Sequence, residues 1–323
     1  MRVALFGAGR MGQIHGANIA VHPGSTLAAV VDPHGPSATA LAERHGAVVM
    51  DEAEAFASQD IDAVVVASAT NLHADQAEQG AKAGKAVFCE KPVDLSMDRV
   101  AAVSETLAQT NVPFMLGFNR RFDPNFAAMK AQIDQGAIGD VEMVTILSRD
   151  PSPPPIDYIK VSGGIFRDMM IHDFDIARWL VGEDFPHLSA FGAVHVNAAI
   201  GAAGDQDTAM VSLRSTSGVL VSISNSRRAT YGYDQRIEVH GSKGMVSAEN
   251  VRESTMVLAT AEGVRLEKPE HFFLERYAAA YKREWDAFVS AVSEGRAPMP
   301  GITEGLASLA LADRAVASAK AHR

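Results

Sequence analysis

The sequence predicts an α/β protein: an N-terminal doubly wound parallel sheet followed by a C-terminal α+β domain with a large open, mainly antiparallel sheet. Three observations predict it. The first third alternates short β-branched runs with alanine-rich helical spacing, which is the mark of parallel strands joined by crossover helices. A glycine loop, Gly7-Ala8-Gly9-Arg10-Met11-Gly12, follows the first of those runs and opens the first helical pattern. After about residue 120 the strands interleave polar with apolar residues, as in Val219-Leu220-Val221-Ser222-Ile223-Ser224-Asn225. Such strands belong in a sheet with one face on its helices and the other open to solvent or to another subunit.

Taken in order, Arg2–Phe6, Leu27–Val31, Ala63–Ala67, Ala86–Cys89 and Phe114–Leu116 read as strands. They lack polar alternation, as strands covered on both faces do. A helix is expected over Pro124–Gln135 and a strand over Val141–Leu147. A cluster of Pro151, Pro153, Pro154 and Pro155 is too short for a linker and shapes a substrate loop. A helix carrying Asp168 and His172 comes next, then strands between Ser189 and Thr260, with turns at Thr216-Ser217-Gly218 and Gly241-Ser242-Lys243-Gly244. Long helical patterns over Phe272–Val292 and Thr303–Lys320 close the chain. At 323 residues it exceeds the size at which one core stops growing. Two domains are expected, over 1–118 and 119–323, with the last helix over 303–320 free to return to the first.

Composition excludes several function classes. The net charge is −10 and the sequence pI is near 5.5, with no basic stripe, which argues against nucleic acid and against an anionic membrane surface. No run approaches 18 uninterrupted apolar residues. Val3–Phe6 is too short for a signal-peptide core. The sole cysteine, Cys89, permits no intramolecular disulfide and fits a reducing cytoplasm. It follows an apolar run, where cysteine acts as a small hydrophobe more often than as a nucleophile.

The glycine loop sits where dinucleotide chemistry needs it, between a strand and a helix. Glycine allows the tight turn and the close approach of backbone to a pyrophosphate, which then meets the helix N-terminus. Gly7, Gly9, Arg10, Met11 and Gly12 are therefore candidate cofactor contacts, and the fold is of Rossmann type. Asp32 ends the second strand, 20 residues after Gly12, where an acid accepts hydrogen bonds from ribose hydroxyls. Facing a 2′-phosphate at about 4 Å it would cost of the order of 4 kcal/mol per charge pair at an effective dielectric near 20. Pro33 and His34 follow it in place of an arginine, so NAD is favoured over NADP; Arg10 could swing toward a phosphate, and reads equally as an ordinary exposed arginine at a helix start. Ser68, Thr70, Asn71 and His73 follow the strand that ends at Ala67, the edge where open α/β sheets bind ligands; Asn71 also reads as an N-cap.

Asp168 and His172 are four residues apart. On one helix they would share a face, placing an orienting carboxylate beside a proton shuttle. Such a pair equally well forms a solvated ion pair contributing about 0.2 to 0.5 kcal/mol. A metal reading, drawing on Asp173 and Asp175 as well, lacks a third ligand from elsewhere in the chain, so no metal is expected.

Glu90-Lys91-Pro92 after a strand brings a resemblance into view. Together with Gly7–Gly12, Asp32, Ala83–Pro92, Gly117–Asp123, Gly163–Asp175 and Tyr231–Asp234, it makes the sequence resemble the Gfo/Idh/MocA oxidoreductases over essentially its whole length. Within that family the resemblance is strongest to the branch acting on inositol. It implies NAD as cofactor and oxidation of a cyclitol hydroxyl, with myo-inositol going to a 2-keto-inositol in inositol breakdown. It implies Lys91, Asp168 and His172 as catalytic residues: Lys91, often fixed by a cis bond to Pro92, on the reacting hydroxyl and nicotinamide, His172 as general base, and Asp168 orienting His172. Glu90 joins Lys91 as a cofactor contact. Asn119, Arg120, Arg149, Asp150 and Tyr233 are implied or candidate substrate contacts, with Asn119 and Arg120 alternatively tying the domains together and Arg149-Asp150 alternatively a surface pair. Trp179 continues the Asp168/His172 stripe and reads as packing. A homotetramer is implied through the open sheet face. Competing readings are dehydrogenation of another inositol isomer or a pyranose, an NAD-dependent glycosidase, and a dinucleotide sensor without turnover.

Overall fold

The computed structural model describes residues 1–322. The chain forms two compact units, Met1–Asn119 with Ala280–Leu309, and Arg120–Ala279 with the residues from Ala310 on.

In the first unit the strands and helices alternate: β1 (Arg2–Phe6), α1 (Arg10–Val21), β2 (Thr26–Val31), α2 (Gly35–His45), β3 (Val48–Val49), α3 (Glu52–Ala57), β4 (Ala63–Val66), α4 (Thr70–Lys82), β5 (Ala86–Glu90), α5 (Met97–Thr110) and β6 (Phe114–Gly117). All pairings are parallel, in the order β3-β2-β1-β4-β5-β6. The order reverses between β1 and β4, which opens a crevice at the carboxyl ends of the strands. Sequence periodicity does not find β3, because two exposed residues on a sheet edge carry no period. Helix ends follow local chemistry: Ser96 accepts from the Arg99 amide to start α5, and Asn111 ends it in the left-handed region.

The core of this unit also draws on α12 (Ala278–Ser293) and the start of α13 (Ile302–Ala321). Phe88 on β5 meets Trp285 and Phe288 at ring-centroid distances of 6.2 and 5.8 Å, and Trp285 Nε1 donates to Ser25 Oγ at 3.0 Å. Edge-to-face pairs of this kind contribute about 0.5 to 1.5 kcal/mol each beyond area burial. Cys89 is fully buried in β5, and burial, then the neighbouring Glu90 charge, pushes its thiol pKa far up. It is an inert part of the core.

The second unit contains α6 (Pro124–Asp134), β7 (Val141–Arg149), α7 (Ile156–Ile159), α8 (Gly164–Asp168), α9 (Ile171–Val181), β8 (His187–Ala193), α10 (Ala198–Ala202), β9 (Thr208–Arg214), β10 (Leu220–Ser226), β11 (Asp234–Gly241), β12 (Gly244–Ala248), β13 (Val257–Thr260), β14 (Gly263–Leu266) and α11 (Phe273–Arg276). Six strands form a sheet in the order β12-β11-β7-β10-β9-β8, and β13-β14 form a separate hairpin. Four of the five pairings in the large sheet are antiparallel. The exception is central: β10 runs parallel to β7, because helices α7 to α9 and the β8–β9 pair intervene and return the chain as a crossover.

The helix expected over Phe272–Val292 is broken. It ends at Arg276, Tyr277 stands outside helical geometry at φ −110° and ψ 14°, and α12 restarts at Ala278. Two adjacent side chains both go inward here. Arg276 Nη1 donates to Asp123, and Tyr277 Oη donates to Gln235 Oε1 at 3.2 Å. Consecutive residues of a continuous helix diverge by about 100°, and the break lets these two reach separate partners. Asp123 also caps α6 through the amides of Asn125 and Phe126, and both charges are buried. Breaking a buried ion pair from one side costs about 3 to 5 kcal/mol. Arg276→Ala is therefore expected to lower the thermal midpoint by roughly 6 to 20 °C, measured by scanning calorimetry.

Candidate active site

At the carboxyl end of the parallel sheet, the first unit builds a cradle without side chains. Gly7 turns the chain at φ +100°, and a Cβ there would lie 2.4 Å from the Ala67 carbonyl oxygen. A Cβ on Gly12 would lie 1.9 Å from the Gly7 carbonyl oxygen, so α1 rests directly on the turn. Gly9 faces open space and begins α1 without a side-chain cap, which leaves the first helical amides to a ligand. Arg10 is exposed and Met11 half-buried beside them. Asp32 Oδ2 accepts from the Ala8 amide at 2.6 Å and Oδ1 from the His34 amide at 2.7 Å. Its carboxylate fixes the loop and keeps further lone pairs for ribose hydroxyls. An open helix start over a collapsed glycine turn, with an acid at the end of β2, fits a dinucleotide without a 2′-phosphate.

Around β4, Ser68 Oγ donates to Gln76 Oε1 at 2.6 Å. The cap position of α4 falls on Ala69, so Thr70 and Asn71 lie inside the helix and the capping role expected of Asn71 does not hold. Asn71 is exposed and Thr70 half-buried. His73 is buried, with Nδ1 2.8 Å from the Pro92 carbonyl oxygen and Nε2 3.1 Å from that of Ser68. Both ring nitrogens are thus engaged within the protein, and His73 braces the cofactor loop instead of reaching out of it. Glu90 is buried at the end of β5, Lys91 is half-buried, and the Lys91–Pro92 peptide is cis. Asn119, just past β6, is also buried.

In the second unit the expected single helix carrying Asp168 and His172 is two helices. Asp168 ends α8 and His172 is the second residue of α9. The amides of Met169 and Met170 both approach the Ile165 carbonyl, at 3.1 and 2.9 Å. The second is an i to i−5 bond, the π-type turn that inserts one residue into a helical path. Upstream, Gly164 sits at φ +82°, where a Cβ would lie 2.7 Å from Asp205 Oδ1. The same oxygen accepts from the Ile165 amide at 3.0 Å, so glycine is required for Asp205 to cap this segment.

Asp168 Oδ1 accepts from Tyr158 Oη at 2.8 Å, and Oδ2 lies 3.4 Å from Arg227 Nη2. Behind α9, Asp173 is fully buried; it takes Arg120 Nη1 at 2.5 Å, Ser148 Oγ at 2.6 Å and Asn225 Nδ2 at 2.8 Å. Arg120, expected to touch substrate or nicotinamide, is buried, with its Nη1 donating to both Asp173 and Ser148. Asp175 is held by Arg121, which also lies 6.0 Å from the Trp179 ring centroid; Trp179 packs, as its spacing suggests. Asp150 is half-buried beyond the end of β7. Burial pushes its pKa to about 7, with Arg227 and Arg120 pulling it down and Asp168 and Asp173 pushing it up. Tyr233 is buried edge-on to Tyr277 at 6.0 Å. Its neighbour Tyr231 is exposed, donates to Asp234 Oδ2 at 2.6 Å and accepts from Arg149 at 3.0 Å. Arg149 and Tyr231 line an open cleft of about 360 Å³ with Asn225 and Arg228.

Sequence reading misses Tyr158, Arg227 and Asp205, all of which engage this region. Arg227 is the one with a trace in the sequence, as a charged residue at the buried register of the alternating run from Val219; it is 1% exposed.

Fold and site together define a two-unit, dinucleotide-binding oxidoreductase. Residues 1–118 match the oxidoreductase family with NAD-binding Rossmann fold, and residues 126–247 match the GFO/IDH/MocA C-terminal domain. The chain belongs to the Gfo/Idh/MocA family. It is 50% identical over 323 residues to an inositol 2-dehydrogenase of Rhizobium meliloti, covering 100% of this chain and 98% of that one. A crystal structure of a myo-inositol dehydrogenase from Corynebacterium glutamicum is similar at a TM-score of 0.96 with 43% identity, covering 100% of this chain and 97% of that one. A scyllo-inositol dehydrogenase from Lactobacillus casei, solved with bound NAD(H) and scyllo-inositol, is similar at 0.93 with 29% identity, covering 100% and 97%.

Two outcomes test the cofactor end. Gly12→Ala, whose Cβ has no room, should weaken NAD binding at least about tenfold by calorimetric titration. Asp32→Ala should narrow the preference for NAD over NADP at least about tenfold, read as the ratio of kcat/KM values.

Proposed function

We propose that the protein is an NAD-dependent dehydrogenase that oxidises myo-inositol at its 2-hydroxyl to 2-keto-myo-inositol. The observation that carries this is the identity to an inositol 2-dehydrogenase along the full length of both chains. It is supported by Lys91, Asp168 and His172 standing at the positions that family resemblance makes catalytic.

Gly7, Gly9, Arg10, Met11, Gly12, Asp32, Ser68, Thr70 and Asn71 hold the dinucleotide in this reading, with Glu90 and Lys91 at its nicotinamide end. Bound NAD supplies the hydride acceptor. Lys91 donates a hydrogen bond to the reacting hydroxyl oxygen, which stabilises the negative charge that develops there. His172 takes the hydroxyl proton as the C–H bond gives up its hydride, so one proton and one hydride leave the same carbinol. Asp168, held by Tyr158 and Arg227, orients His172 and favours its charged form. Asn119, Arg149, Asp150 and Tyr233 bind the remaining hydroxyls, with Arg120 behind them. The scyllo isomer is the second reading, favoured by the likeness to the enzyme solved with scyllo-inositol. One inverted hydroxyl alters hydrogen bonds in the ring's first contact layer without altering any motif.

The outward face of the six-stranded sheet carries Met245, Met143 and Leu220 in one cross-strand row with His240; the three apolar residues are 50%, 50% and 49% exposed. Exposed apolar rows of this kind support burial against further copies, and we read the assembly as a homotetramer. Among the described residues no helix is long and apolar enough to cross a membrane. With the single buried thiol, this supports a cytoplasmic place in cyclitol breakdown.

The decisive experiment is a panel of inositol isomers and hexoses with NAD, followed by NADH absorbance. The highest kcat/KM is expected with myo-inositol; NAD binding without reduction by any polyol would instead indicate a sensor, and sugar release from a glycoside without net NADH a glycosidase. His172→Ala should lower kcat by about 10² to 10⁴-fold while NAD affinity changes far less; equal losses would remove it as proton acceptor. Asp150 accepts substrate hydrogen bonds best when ionised, so KM for the polyol should fall as pH rises through about 7, the value to which burial lifts its carboxyl. Asp150→Asn should flatten that dependence.

A further inference from the structure

Behind Lys91 the first unit buries two ionisable side chains, His15 and Glu284, for which the chemistry above has no use. His15 in α1 is 1% exposed, and its Nε2 lies 2.7 Å from Glu90 Oε1. Glu90 Oε2 accepts, at 3.3 Å, from the amide of Lys91. Glu90 and Phe88 are two residues apart on β5 and so share a face. That face meets α12, whose Tyr281, Glu284, Trp285 and Phe288 follow helical spacing: the Tyr281 ring stands edge-on to His15 at 6.1 Å, and Trp285 and Phe288 flank Phe88. Room for the Glu90 carboxyl comes from Gly117, its partner in the β5–β6 pairing, where a Cβ would lie 3.1 Å from Glu90 Oε2.

Glu284 is fully buried on this same face, and neither of its oxygens has a hydrogen-bond partner. A carboxylate in such a place is held neutral: burial, and then the charge of Glu90, raises its pKa well above the ordinary range.

We propose that His15 is a positioning residue for the reaction, holding Glu90 and thereby fixing the end of β5 from which Lys91 projects. His15 lies in the helix whose first turn faces the cofactor loop. One hydrogen bond therefore ties the element that receives the dinucleotide phosphates to the strand end that presents Lys91. A misplacement of about 1 Å at a reacting group can cost on the order of 10²-fold in rate, so a buried tie of this kind has kinetic consequences without touching substrate. The inference rests on the reading of Lys91 as catalytic.

The test compares His15→Phe, which keeps the ring and removes the nitrogens, with His15→Gln, which restores a donor. His15→Phe should lower kcat roughly 10- to 100-fold with myo-inositol while the NAD dissociation constant moves less than about threefold, and His15→Gln should recover most of the loss. His15→Met replaces the phenylalanine variant if that one does not fold. Full kcat without the ring nitrogens, or equal impairment of the glutamine variant, overturns the proposal. Lys91→Ala is run alongside: if it retains kcat, the reading of Lys91 itself fails, whereas its collapse beside an unaffected His15→Phe refutes the positioning role alone. The infrared difference between wild type and Glu284→Gln at pH 7 should show the carbonyl stretch of a protonated acid. Its absence would show Glu284 ionised beside Glu90 and overturn the role given to Glu90.

Discussion

Asp173 is the fixed point of the second unit. A carboxylate with no exposure survives there because Arg120, Ser148 and Asn225 all donate to it, joining α9 to β7, to β10 and to the turn that follows Asn119. Buried ion pairs contribute little net stability, since desolvation offsets most of the attraction, but each partner makes the other's position obligatory. The central parallel pairing of β7 with β10 brings Ser148 and Asn225 together in register, and only then does Asp173 have its full set of donors. The neighbouring residue in α9 is His172. What holds the helix therefore also sets where the imidazole starts from.

The short π-type turn at Met169-Met170 belongs to the same logic. An unbroken α-helix would stack His172 over Asp168 in a fixed i to i+4 relation. The inserted residue changes that relation. Asp168 is held by Tyr158 and Arg227, and His172 stands on the helix that Asp173 anchors. Insertions of this type recur at functional sites.

In the first unit the governing constraint is close approach. Gly7 and Gly12 bring backbone against backbone where no Cβ fits, so the turn between β1 and α1 has no room for a side chain. Asp32 and His73 extend this economy. Both look from the sequence like ligand contacts, yet each spends hydrogen bonds on the loops themselves. Polar residues near a ligand site commonly serve the shape of the site first, and one sequence does not reveal which of them still has an atom to spare.

The sequence by itself determined the parallel sheet, the glycine loop, Asp32 and the Glu90-Lys91-Pro92 turn, because these rest on local rules: apolar runs for doubly covered strands, glycine where a Cβ collides, an acid at a strand end. It also placed Asp168 and His172 in helical surroundings. The tertiary structure alone decided that their helix is broken, that β7 pairs in parallel with β10, that the helix expected from Phe272 stops for Arg276 and Tyr277, and that Arg120 turns inward. It also assembled His15, Glu90 and Glu284, which stand on three elements far apart in the chain. Each of these depends on a buried polar group finding its partner across long sequence separations. Periodicity records which face of an element is buried; it does not record which partner waits there.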